Sequence, residues 1–110
     1  MLLAWEQGRQ NSGYWKCLLA QVRPYFDCYL LKYPQGSQIS RHQDPVTDRR
    51  HYRLNIVLWK AAKGGVFSCE NPLLSWGRVV LFRSDTSPHE VTLIEKGCRY
   101  VLSFGWTLAA

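Results

Sequence analysis

His89-Glu90-Val91-Thr92-Leu93-Ile94, followed after Glu95–Cys98 by Arg99-Tyr100-Val101-Leu102-Ser103-Phe104-Gly105-Trp106, is the stretch whose reading decides the fold. Both runs are largely apolar and rich in β-branched and aromatic residues, the composition of strands. In the second run the side chains alternate about the chain axis. Arg99, Val101, Ser103 and Gly105 share one face, and Tyr100, Leu102, Phe104 and Trp106 share the other. Small residues on the Arg99 face leave room for a ligand inside a barrel, while the bulky face is expected to pack against the N-terminal segment.

Working outward, similar runs predict strands near Phe26–Tyr33, Arg53–Trp59, Val66–Glu70 and Arg78–Phe82. Gly64-Gly65 reads as a hairpin turn, and Asn71–Gly77 and Ser84–Pro88 read as loops, the second delivering the chain into His89. In the N-terminal third, Trp15, Leu18, Leu19 and Val22 have helical spacing, although Tyr14–Leu19 also suits a strand; a short helix within Leu2–Arg23 is expected. Many short strands in one small domain argue for a sandwich or a double-sheet jelly roll.

The 110 residues suffice for one domain, 1–110, and not for two. A 46% hydrophobic content with 5 Trp, 6 Tyr and 4 Phe excludes a disordered chain. Cys17, Cys28, Cys69 and Cys98 are scattered, form no C-x-x-C pair and lie in apolar runs, which fits reduced, buried thiols better than a disulfide frame or zinc site. No apolar stretch reaches membrane-spanning length, and Glu6 and Arg9 interrupt any signal-peptide core, so a cytoplasmic protein with no membrane partner is expected. The net charge of +6 is spread along the chain. Its densest part, Arg49-Arg50 with His51 and Arg53, reads as a solvated loop, with a substrate-binding patch as the other reading.

His42-Gln43-Asp44 sets an imidazole and a carboxylate two residues apart, on one side of an extended chain. Two imidazoles and one carboxylate form the facial triad of non-haem iron(II) sites, which leaves positions for further ligands. Of the two remaining histidines, His89 opens an apolar run and can face inward with Val91 and Leu93, whereas His51 sits among arginines and reads as a surface or loop histidine. H-x-D alone is common by chance, and a polar turn residue is the other reading of His42. This metal motif selects the jelly roll over the sandwich. Arg99 adds to it: a guanidinium in so apolar a run keeps its charge and needs a carboxylate, which a dicarboxylate cosubstrate supplies in bidentate fashion. The other reading of Arg99 is an edge-strand side chain that snorkels to water.

Tyr33-x-x-Gly36, His42-x-Asp44, Gly64-Gly65, Phe82 leading to His89-Glu90-Val91, and Gly97-x-Arg99 with Arg99 ten residues after His89, resemble together the catalytic domain of the prolyl 4-hydroxylase-type 2-oxoglutarate oxygenases. The resemblance spans about Tyr33 to Trp106. It implies a mainly β chain folded as a double-stranded β-helix (jelly roll, cupin-like), with 33–106 as catalytic core and 1–32 as a short helical or irregular N-terminal support. It also implies His42, Asp44 and His89 as iron(II) ligands, Arg99 as anchor of the 2-oxoglutarate C5 carboxylate, and Tyr33, Asn55 and Ser103 as further cosubstrate contacts. Asn55 suits a plain structural role equally.

The implied activity is hydroxylation of a protein or peptide side chain using Fe(II), 2-oxoglutarate and O2, with release of succinate and CO2. An intact Asp44 argues against halogenation, since related halogenases lack that carboxylate. Oxidative demethylation of nucleic acid is the alternative that the positive charge encourages, but the lone Arg99 and its spacing from His89 oppose it. A non-catalytic jelly-roll binding module and a metal-binding cupin without cosubstrate are the remaining alternatives. Family domains usually carry a longer N-terminal support and longer substrate loops, so a homodimer or partner is expected to complete the site.

Overall fold

A computed structural model describes residues 4–8, 12–23, 25–44, 46 and 48–109. The described residues form strands β1 (Trp5–Gln7), β2 (Trp15–Val22), β3 (Phe26–Tyr33), β4 (Ile39–His42), β5 (Arg49–Trp59), β6 (Lys63–Gly64), β7 (Phe67–Cys69), β8 (Leu74–Trp76), β9 (Val79–Arg83), β10 (His89–Val91), β11 (Ile94–Lys96) and β12 (Arg99–Ala109), and no helix. Accordingly, among the described residues no helix is long and apolar enough to cross a membrane.

All pairings are antiparallel. A seven-stranded sheet has the order β1-β2-β3-β12-β5-β9-β8, a three-stranded sheet β4-β10-β7, and a two-stranded ribbon β11-β6. Strand β12 is central, hydrogen-bonded to β3 along one edge and to β5 along the other. Its residues alternate between buried and half-buried from Arg99 to Trp106, the buried set being Arg99, Val101, Ser103 and Gly105. Tyr33, Val91, Ile94 and Val101 form the buried apolar cluster, with Leu31, Ile39, Val57 and Phe67 packed around it. Sheets facing each other across such a core make a jelly roll.

The structure departs from the sequence reading in six places. The expected N-terminal helix is strand β2 wherever Leu2–Arg23 is described; Leu2, Leu3 and residues 9–11 lie outside the described residues. A bulge between Leu18 and Ala20 breaks the two-residue period there and gives the apolar side chains their helix-like spacing. The basic stretch Arg49–Arg53 is strand rather than loop, because the end of β12 pairs with it from Trp106 to Ala109. Gly64-Gly65 is no hairpin: both glycines take positive φ, but β6 pairs with β11 and β7 with β10. The expected loop 71–77 contains β8, and the expected strand His89–Ile94 divides between two sheets as β10 and β11. Finally, among the described residues, the N-terminal strands β1, β2 and β3 extend the sheet of β12 instead of forming a layer over its outer face.

All four cysteines are free thiols, with Cys17 and Cys28 buried.

Candidate metal centre

His42 ends β4, His89 begins β10, and the two are cross-strand partners. Direct pairing brings their rings to a centroid separation of 4.3 Å. Asp44 follows β4 by two residues, and its backbone N–H donates to the Ser84 carbonyl at 2.8 Å. The carboxylate then lies 3.5 Å from His42 Nε2 through one oxygen and 3.4 Å from His89 Nε2 through the other. One ligand atom from each residue falls within 4.8 Å of the others.

The protonation of these rings follows from their second nitrogens. His42 Nδ1 lies 2.8 Å from the Ser40 carbonyl and His89 Nδ1 2.9 Å from the Ser87 carbonyl. A carbonyl only accepts, so each Nδ1 carries a hydrogen, and Nε2 is the nitrogen that each ring presents toward Asp44. A carboxylate between these two nitrogens is satisfied by a proton or by a metal cation shared among the three side chains. The donor set, two nitrogens and one carboxylate oxygen with backbone-fixed tautomers, fits Fe(II). Phe82, 1% exposed, packs its ring 4.9 Å from that of His89 and shields one side.

The triad opens into a cavity of about 360 Å3 that Asn55, Ser103 and Tyr33 also line. A neighbouring cavity of about 430 Å3 is lined by Arg99 and shares Asn55 and Phe67 with the first. Arg99 is thus inside the barrel, 4% exposed, and does not snorkel to water. Its guanidinium lies 5.1 Å from the Tyr33 ring centroid. No described carboxylate is paired with it: burial lowers its pKa, and only Tyr33 pushes the other way. Burial likewise lifts the Tyr33 phenol far above its ordinary value, outweighing the Arg99 charge, so this hydroxyl stays protonated.

Asn55 and Ser103 are opposite each other in the β5–β12 register. Ser103 Oγ donates to Asn55 Oδ1 at 2.6 Å and accepts from Arg53 at 2.8 Å.

The sequence reading missed three residues of this cavity. Arg53, placed above in a solvated loop, points inward. Its guanidinium crosses Gly105 to reach both oxygens of Asp27, at 2.9 and 3.2 Å. A side chain at Gly105 would collide with that guanidinium, which explains the glycine. The alternation of Arg53 with Asn55, and of Asp27 with Tyr33, was the available signal. His51, read as a surface histidine, lines the triad's cavity and is hydrogen-bonded through Nδ1 to the fully buried Ser84 hydroxyl. Burial and then Arg53 depress its pKa, so it is neutral near pH 7. Through Ser84, His51 supports the loop that holds Asp44.

The profile of the 2OG-Fe(II) oxygenase superfamily matches residues 28–107. The chain belongs to this superfamily. The family name couples iron(II) to 2-oxoglutarate, in keeping with a His-Asp-His cluster in the barrel. Among solved structures, a Pseudomonas putida prolyl-4-hydroxylase is 28% identical with a TM-score of 0.58, over 77% of this chain and 52% of that one. The superfamily member described here therefore spans about half the length of that hydroxylase. The cupin domain of Schizosaccharomyces pombe Cnp3 (11% identity, TM-score 0.60, 96% of this chain and 69% of that one) shares the fold. So does the cupin-2 domain Rru_A2000 from Rhodospirillum rubrum, at 11% identity and TM-score 0.62, over 98% of this chain and 70% of that one. No functionally curated protein matches the sequence.

Proposed function

We propose that the protein is an Fe(II)- and 2-oxoglutarate-dependent dioxygenase that hydroxylates a protein or peptide side chain. The observation that carries this reading is the pairing of two features: three metal-type ligand atoms within 4.8 Å of one another, and a buried arginine with which no described carboxylate is paired. Bound iron and 2-oxoglutarate supply the oxidation: with O2, one oxygen atom enters succinate as CO2 leaves, and the other is inserted into a substrate C–H bond.

The chain's own residues supply position and charge. His42, Asp44 and His89 hold the metal, with tautomers set by the Ser40 and Ser87 carbonyls. Arg99 receives the distal carboxylate of the cosubstrate, where burial strengthens the pairing, and the protonated Tyr33 hydroxyl adds a donor. Ser103, held by Asn55 and Arg53, lines the triad's cavity, and Asn55 lines both cavities. Phe82 and Phe67 keep water from the histidine side. The peptide class of substrate is supported by the 28% identity to a prolyl-4-hydroxylase. Free thiols on four scattered cysteines fit a reducing compartment such as the cytoplasm.

A screen of proline-containing peptides, free amino acids and methylated oligonucleotides for succinate release tests the proposal. Peptide-stimulated succinate that disappears in Asp44→Ala is the expected result. A second reading, a metal-holding jelly roll without turnover, is favoured by the cupin neighbours. It predicts iron binding with no succinate from any substrate.

A further inference from the structure

Asp44 lies two residues beyond β4, outside the strand ladder, and is held by the loop 84–88 between β9 and β10. The loop turns three of its carbonyls toward the triad. Ser84 accepts the Asp44 N–H at 2.8 Å, Thr86 accepts from the Gln43 side-chain amide at 2.6 Å, and Ser87 accepts from His89 Nδ1 at 2.9 Å. One short loop thus holds two of the three ligands, together with the residue that separates Asp44 from His42.

The loop is itself closed and anchored. The N–H groups of Thr86 and Ser87 both donate to the Arg83 carbonyl, at 3.2 and 2.8 Å. Arg83 grips Asp85 through two hydrogen bonds of 2.9 and 2.7 Å, and the Asp85 side chain is only 7% exposed. A two-pronged, charge-assisted bond in so sheltered a place resists rotation of the backbone between its partners. That backbone is Ser84, whose carbonyl holds Asp44 and whose buried hydroxyl meets His51 Nδ1. Arg83 is also the register partner of Tyr52 in β5, with its guanidinium 5.4 Å from the ring centroid. Through His51 and Tyr52 the loop is fixed to the seven-stranded sheet, whereas both histidine ligands belong to the three-stranded sheet.

We infer that Asp85 and Gln43 are positioning residues of the metal centre: Asp85 fixes the loop against β5, and Gln43 ties the segment bearing Asp44 to that loop. The inference rests on the triad being a ferrous site, and neither residue is a ligand. A facial triad binds well when its donor atoms are held in place before metal arrives, and outer partners that orient ligands are worth about tenfold or more in affinity. Asp44 needs this hold most, since His42 and His89 are already cross-strand partners.

Anaerobic calorimetric titration with ferrous ion, together with visible absorption of the cobalt(II)-loaded protein, tests it. Gln43→Met keeps the length of an exposed side chain and removes its donor, so the urea midpoint of the metal-free protein stays near that of the parent. The expected result is ferrous affinity lowered about tenfold and a cobalt band altered in position or intensity, because that band reports ligand geometry. Asp85→Asn, which breaks the two-pronged bond, moves both readouts in the same direction. Arg83→Lys, which leaves a single bond to Asp85, gives the reading should Asp85→Asn fail to fold. Variants that keep the parent's affinity and cobalt spectrum overturn the inference and leave the ferrous site standing. A parent protein that binds neither ion overturns the ferrous site and the inference with it.

Discussion

His42 and His89 offer the same nitrogen because each stands two residues after a serine whose carbonyl takes the Nδ1 hydrogen. The ligand edge of each ring is therefore set by local backbone before any metal arrives. Arg99 is set by burial, which leaves a charge seeking an anion; Arg99→Gln should weaken 2-oxoglutarate binding on the order of a hundredfold while leaving ferrous binding intact, as read by calorimetry under anaerobic conditions. His51 makes a separate prediction. Its folded pKa is depressed by burial and by Arg53, with Asp27, Asp44 and Asp85 opposing, so the fold favours its neutral form. That contribution is complete above the unfolded value of about 6.5 and is lost as pH falls through the lower folded value. His51→Gln should accordingly lose less Tm than the parent as pH falls from 7.5 to below the unfolded value of about 6.5. The triad could be read from sequence because histidines are scarce and two of its members are two residues apart. The Arg53–Asp27 pair could not, because 26 residues separate the partners and only the β3–β12–β5 order brings them together over Gly105.

At the scale of strands, alternation predicted correctly wherever it ran undisturbed. Phe26–Tyr33 is a strand to the residue, and Arg99 begins β12 with its inward face as expected. Alternation failed at β2, where the bulge after Leu18 shifts its phase and makes a strand resemble a helix. It failed again at Arg49–Arg53, where charge suggested solvent. In the fold Arg49 donates to Thr107 and Arg50 to the Ala109 carbonyl, so strand pairing with β12 absorbs both side chains. Gly105→Ala should destabilise the protein by about 1–3 kcal/mol, since a methyl group there displaces the Arg53 guanidinium from Asp27. The urea midpoint measures this, and an unchanged midpoint would show that the ion pair across β12 does not depend on the glycine.

For the whole molecule, the three-stranded sheet carries two triad histidines while the seven-stranded sheet carries Arg99, Tyr33, Asn55 and Ser103, so the site exists only when the two layers close on each other. Metal binding should therefore stabilise the fold. At a free ferrous concentration one hundred times Kd the gain is about 2.7 kcal/mol, seen as a raised Tm that chelator reverses and that Asp44→Ala abolishes. The division of the interior into two adjoining cavities was not readable from composition, because it depends on which strands become neighbours. The most direct measurement of the central claim is an anaerobic titration of the protein with ferrous iron and 2-oxoglutarate, followed by visible absorption. The account predicts a weak charge-transfer band that requires both additions and vanishes in Asp44→Ala; folded protein that binds iron yet shows no such band at saturating 2-oxoglutarate would contradict it.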